Sequence, residues 1–228
     1  MGVGSIFLNP KFFIYLVYFV ALIVSLPCHE FCHAYVAHLL GDDSAKKAGR
    51  LSLNPSRHFD LIGFFCLFFS GFGWAKPIPV NVRKFSNPKF GMALVGLVGP
   101  VSNLLLATMS LFLYKILVVL MTFKIKFFNF SFLAIFFNYF TILNINLAVF
   151  NMLPIPPLDG SRLLMCFLPS RQYNLVLFLE KFGFIFLVIL MLSTNFDQTI
   201  IMLSSYVLKF LDTLTSSLEV FSDILIMG

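Results

Sequence analysis

The run FFIYLVYFVALIVSLPCHEFCHAYVAHLL fills residues 12–40 and contains no Lys, Arg or Asp. As a helix it would be about 43 Å long at 1.5 Å per residue, enough to cross the roughly 30 Å hydrocarbon core of a bilayer. Pro27 does not end the pattern, which continues to Leu40; Gly41-Asp42-Asp43 then supplies a stop. Lys11 ahead of the apolar residues resembles the start of a signal peptide, but no small-x-small cleavage site follows. The segment therefore reads as a retained span.

The rest of the chain has the same character. Of 228 residues 59% are apolar and 11% charged, with a mean hydropathy of +0.94. A soluble domain has about 25% charged residues, so this chain cannot cover itself with polar surface in water. The 31 Phe residues read as lipid-facing bulk. Further apolar runs lie at 91–114, 127–158, about 176–195 and, more weakly, 199–214, where Lys209 and Asp212 leave open a helix lying on the membrane surface. Residues 61–73 are short for a span and carry three glycines; they read as a re-entrant or interfacial element. After them, Lys76-Pro-Ile-Pro-Val-Asn81 suggests an edge strand or loop. The expectation is an all-α polytopic membrane protein of about five to six transmembrane helices, with a short re-entrant or β-like element between the first and second full spans. It forms one integral-membrane domain over residues 1–228, with a core at about 12–165 and C-terminal helices at about 175–220.

The net charge of +6 needs no nucleic acid, because the basic residues sit in loops. If residues 41–90 lie on one side, that side and the loop after Asp159 hold Lys46, Lys47, Arg50, Arg57, Lys76, Arg83, Lys84, Lys89, Arg162 and Arg171. The opposite side holds Lys11, Lys124 and Lys126. The positive-inside rule then places the 41–90 side in the cytosol. Cys28, Cys32, Cys66 and Cys166 lie in apolar segments without framework spacing, which argues against a disulfide-stapled exterior domain.

Within the first run, His29-Glu30-Phe31-Cys32-His33 fits H-E-x-x-H. Two His four apart share one helical face and can grip a single Zn²⁺, while the Glu, rotated by about 100°, can reach a metal-bound water instead. Chance occurrence for this composition is about one in a thousand, and titratable groups inside a span are costly and usually functional. The bland alternative is a polar patch facing a bundle interior. A second alternative is a metal site built on Cys28 and Cys32, although buried Cys is usually a small apolar residue. Zinc needs a third protein ligand. Leu39 stands where one such pattern would have His, and Asp42 and Asp43 end the same helix and cannot fold back. Asp159 is the outstanding candidate. It follows Asn151-Met-Leu-Pro-Ile-Pro-Pro-Leu, whose prolines unwind a helix end, and Gly160 permits a turn, so a carboxylate can be presented inward at membrane depth.

On these residues the chain resembles the site-2 protease family of intramembrane zinc metalloproteases, particularly its small bacterial members lacking a PDZ domain. The matching stretches are His29–His33 with Ala34, residues 49–55 (GRLSLNP), residues 73–81, Gly91-Met92 with Gly99-Pro100-Val101-Ser102-Asn103, and residues 151–162. Beyond about residue 175 the match is compositional apart from Glu180-Lys181-Phe182-Gly183. Cys32 departs from the Ala or Gly usual in relatives, and the additional first span of some relatives is missing ahead of H-E-x-x-H.

The resemblance implies that His29, His33 and Asp159 ligate one Zn²⁺ and that Glu30 is the general base. Asn151 matches a residue thought to steady the tetrahedral intermediate, against the plainer reading of a helix cap or interhelical bond. Asn103 reads as a structural contact between close-packed helices. The implied substrate is a transmembrane segment of another protein, hydrolysed in a bacterial cytoplasmic membrane at a site open to the cytosol; no nucleic-acid partner is expected. Residues 61–81 could pair with an unwound substrate as an added strand, which Pro at Val80 and Val82 would test. The rival class is a catalytically silent membrane protein that binds transmembrane helices or metal. A metal carrier would need polar groups along a path, whereas here they cluster at one depth.

Overall fold

The computed structural model describes residues 10–61, 63, 75–122, 130–167, 173–193 and 195–216. These residues form α1 (Pro10–Leu39), the single turns α2 (Ser44–Lys47) and α3 (Pro55–His58), a 3-10 turn at Val82–Lys84, α4 (Pro88–Thr122), α5 (Phe130–Asn151), α6 (Asp159–Phe167), α7 (Tyr173–Met191) and α8 (Phe196–Leu214). No strand occurs among the described residues. Among the described residues three helices are long and apolar enough to cross a membrane: residues Ile14–Leu39 of α1, α4 and α5. The end of α7 (Lys181–Met191) and α8 pass the same test together, bent by 90° at the break between them. The chain is an all-helical integral membrane protein.

Large apolar side chains point outward from every long helix, among them Tyr15, Leu105, Phe132 and Phe186. The contact interior holds small and polar residues instead: Ser25, Ala34, Ser102, Asn103, Thr141 and Asn144 are all buried. In lipid there is little hydrophobic gain in pressing Leu against Leu, so helix contact falls to small residues and interhelical hydrogen bonds. The pairs Asn103–Asn144 and Ser110–Phe137 advance on α4 as they recede on α5, so these two helices are antiparallel. α4 packs on α1, α5 and α6 and is the centre of the bundle.

α8 lies against α5 and α4. At one end the Phe196 ring meets Phe150 edge-on near the end of α5. At the other, Asp212 Oδ1 is 2.7 Å from Lys115 Nζ on α4. Between them Leu211 joins Ala107, Leu111 and Ile145 in one apolar cluster. α8 thus runs beside α5 in the opposite direction, anchored at both ends, and does not peel away as a separate surface helix.

α1 passes through Pro27 and stops where Gly41 takes φ +97, a left-handed conformation that favours glycine. Asp42 follows, fully buried. It accepts from the Ser44 hydroxyl, the Asn81 N–H and the Lys84 ammonium. These bonds tie the end of α1 to residues 76–84. That segment is extended but unpaired as a strand: Pro77 and Pro79 have no N–H to offer a ladder. It is held by Lys76 N–H to the His58 carbonyl and by Ile78 and Val80 packing on Ala34 and Ala45. The loop alternative expected for this stretch is what forms, and Val82 belongs to the 3-10 turn. Most of the expected re-entrant element, residues 61–73, lies outside the described residues.

Candidate metal centre

The prolines after Asn151 cannot continue α5, so the chain turns through residues 152–158 and restarts as α6 with Asp159 in its first turn. This places Asp159, 6% exposed, against His29 and His33 on α1, at 5% and 2%. Asp159 Oδ2 is 3.0 Å from His29 Nε2 and 3.1 Å from His33 Nε2. The two Nε2 atoms are 2.9 Å apart. The three atoms form a nearly equilateral triangle, and they are the one His/Cys/Asp/Glu group among the described residues with metal-binding spacing.

The outer nitrogens of the two rings decide what this triangle can hold. His33 Nδ1 bonds the Val95 carbonyl on α4. A carbonyl only accepts, so Nδ1 of His33 must carry a proton, and in the neutral ring the lone pair is then on Nε2. His29 Nδ1 meets Asn103 Oδ1 at 2.6 Å, with the same consequence. In their neutral forms the two rings turn two lone pairs toward a carboxylate oxygen, with no proton among the three atoms. Buried acceptors arranged so repel unless a cation sits among them. With sides near 3 Å, the triangle is of a size at which His29, His33 and Asp159 would together hold one metal ion. The donor set, two imidazoles and a carboxylate, is one that zinc accepts.

The other Asp159 oxygen, Oδ1, lies 3.1 Å from Arg162 Nη1, one turn along α6. This ion pair turns one oxygen away and leaves Oδ2 for the histidines. Close approach of α4 permits the arrangement. A Cβ at Gly99 would overlap the rings of His33 and His29, and one at Gly96 would press on the Asp159 carbonyl and the Arg162 side chain.

Other expected residues fall as follows. Glu30 is half-buried beside His29. Asn151 is in the last turn of α5, where its Nδ2 donates to the Leu147 carbonyl at 2.9 Å. Cys28 and Cys32 are free, half-buried thiols, with Cys32 engaging Ser102; neither belongs to the metal-spaced group. His38 pairs with Asp43 and His58 with the Ser52 carbonyl, both away from the triangle. Sequence reasoning missed the contact of Asn103 with His29 and the roles of Val95, Asn144 and Arg162. The available signal was the lone Asn103 in one uncharged run and Asn144 among several Asn in the next.

Comparison with known proteins bears on this geometry. The model of Peptidase family M50 matches residues 115–194, which include Asp159. The Bacillus subtilis (strain 168) protein named "Putative zinc metalloprotease YwhC" is 43% identical over 171 residues, which is 75% of this chain and 78% of that protein. Rip2 of Mycobacterium tuberculosis (strain ATCC 25618 / H37Rv), named likewise as a zinc metalloprotease, is 30% identical over 179 residues, 77% of this chain and 66% of its own length. Rip2 of Mycolicibacterium smegmatis is 27% identical over 183 residues. No solved structure matches the chain.

Proposed function

The chain belongs to peptidase family M50 and is a membrane zinc metalloprotease, and from that premise we propose that it hydrolyses peptide bonds within membrane-spanning segments of other proteins. In this reading His29, His33 and Asp159 hold one Zn²⁺, Glu30 is the general base, and Asn151 assists. The observation that carries it is the convergence of two imidazole Nε2 atoms and one carboxylate oxygen at 2.9–3.1 Å, buried inside a helical bundle.

Zinc held there supplies a Lewis acid for the scissile carbonyl and a water made acidic at neutral pH. Glu30 follows His29 directly and is half-buried. In this reading it takes a proton from the attacking water and returns it to the leaving amine. The Asn151 amide spends one N–H on Leu147; the second remains to donate to the developing oxyanion.

His33 lies eight residues before Gly41, so the site is about 12 Å below the end of α1. In this reading water reaches it from that side, taken as the cytosolic face of a bacterial cytoplasmic membrane because the basic loops gather there. A substrate helix hides its carbonyls in backbone hydrogen bonds and must unwind before attack. The extended segment at 76–81, packed on the turn of α1 that follows His33, is a surface on which an unwound strand could lie.

The test is cleavage of a panel of single-span substrates by detergent-purified wild type and Glu30→Gln, with zinc measured in both. Zinc in both and cleavage by wild type alone is expected, with a rate loss of about 10²–10⁴-fold in Glu30→Gln. Equal cleavage by both would remove Glu30 as the base, and zinc in neither would overturn the ligand assignment.

A further inference from the structure

The polar atoms behind His29 form a chain with a fixed direction. Asn144 on α5 donates through Nδ2 to the Phe140 carbonyl at 2.9 Å. A carbonyl oxygen only accepts, so this end of the Asn144 amide must be its NH₂. Asn144 Oδ1 is thereby left facing Asn103, whose Nδ2 donates to it at 2.9 Å. The Asn103 amide is now oriented in turn, and Oδ1 is the atom it offers to His29 Nδ1 at 2.6 Å. An acceptor there demands Nδ1–H, so the neutral ring carries its lone pair on Nε2, the atom facing His33 and Asp159. Both Asn residues are 0% exposed, so bulk water does not compete for these bonds.

The two histidines differ in how this is secured. His33 takes its orientation from a backbone carbonyl, Val95, which cannot rotate. His29 takes its own from a side-chain amide, which can turn over and present NH₂ instead of oxygen. Such a turn would set donor against donor at Nδ1 and favour the tautomer with its proton on Nε2, pointing into the metal triangle. Something must prevent it, and Asn144 is the group in position to do so.

We propose that Asn103 and Asn144 are positioning residues forming a two-amide relay, which sets the tautomer of His29 and with it the metal affinity of the site from the backbone carbonyl of Phe140. The proposal rests on the reading of His29 as a metal ligand. It assigns the two mid-span Asn residues a role beyond helix association, because the relay works only in one orientation. Helix association alone would be served by either.

The experiment measures zinc affinity by competition with a chelator of known affinity, on the whole chain in detergent. The proteins are wild type, Asn144→Leu, Asn103→Asp and the double variant Asn103→Asp/Asn144→Leu. Asn144→Leu frees the Asn103 amide to turn, so zinc affinity falls by about 10–100-fold, as for other groups that orient metal ligands. A carboxylate at position 103 offers an oxygen whichever way it turns and needs no orienting. The double variant therefore binds zinc as tightly as Asn103→Asp alone. A double variant no tighter than Asn144→Leu overturns the relay, as does wild-type affinity in Asn144→Leu. Failure of the underlying reading looks different: zinc would be absent from wild type or kept at wild-type affinity by His29→Ala. Should Asn144→Leu not fold, ¹⁵N NMR of histidine-labelled, metal-stripped wild type decides. A protonated Nδ1 and bare Nε2 on His29 are expected, and the opposite tautomer overturns the relay.

Discussion

Gly99 on α4 faces the His33 ring on α1 so closely that a Cβ at position 99 would overlap its Cε1 and Nε2 atoms, and the Cε1 of His29 as well. The ring has nowhere to retreat. Its Nδ1 is bonded to Val95 one turn earlier on the same helix, and its Nε2 is a corner of the metal triangle. Gly99→Ala should therefore displace a ligand rather than unfold a helix, since Ala is the better helix former. The expected outcome is a zinc affinity lower by at least about tenfold, with unchanged helical content by circular dichroism. Zinc binding at wild-type affinity would mean that α4 can shift to make room.

Lys115 is 5% exposed and its charge is matched by Asp212 at 2.7 Å. Removing one partner of a buried pair costs about 3–5 kcal/mol; Asp212 is half-exposed, so solvent shares the load and about 1–3 kcal/mol is expected from Asp212→Asn. Lys115→Met combined with Asp212→Asn should recover most of it, because no buried charge is then left unmatched. Thermal unfolding in detergent checks both. An unchanged melting temperature in Asp212→Asn would show that the pair does not fasten α8.

Asp42 is buried without exposure. Burial disfavours its charge, but the Asn81 N–H, the Ser44 hydroxyl and N–H and the Lys84 ammonium outweigh that and hold its carboxyl well below the usual carboxylate range. A carboxyl whose folded pKa is depressed contributes stability at any pH above its unfolded value, near 4, and loses it as pH falls toward the folded value. Asp42→Asn should therefore melt below wild type at pH 7, and the gap should narrow only as pH drops below about 4. A gap that closes already between pH 7 and 5 would point to another group.

Val80 lies in the extended segment that the proposed substrate strand would meet, and it packs on Ala34 and on the Ala37–Val95 cluster. Pro at this position removes an N–H that strand addition would use. Val80→Pro is expected to lower cleavage by at least about tenfold, the equivalent of one lost strand bond or two, with zinc content unchanged. Normal turnover in this variant would remove the segment from substrate binding.

The spans were legible because lipid imposes a one-dimensional rule. A helix that must satisfy every backbone group within itself and face hydrocarbon on most sides announces its length and apolarity in the sequence alone. The H-E-x-x-H spacing on such a helix, and the Asp after a proline break, are equally local: residues four apart share a face, and prolines end helices. These features gave the fold class and all three corners of the metal triangle. The behaviour of α8 was not legible. Lys209 and Asp212 look like surface charges until Lys115, 97 residues away in sequence, is seen beside Asp212.

What the sequence by itself determined is thus the all-helical membrane class and His29, His33 and Asp159 as candidates for one metal site, because each follows from periodicity and chain breaks within a few residues. What only the tertiary structure decided is which acceptor faces the outer nitrogen of each histidine, which oxygen of Asp159 turns inward, and why α4 can approach closely enough for either. Val95, Gly99, Asn103 and Asn144 act across helix contacts, and a hydrogen bond between helices leaves no period in the sequence to read.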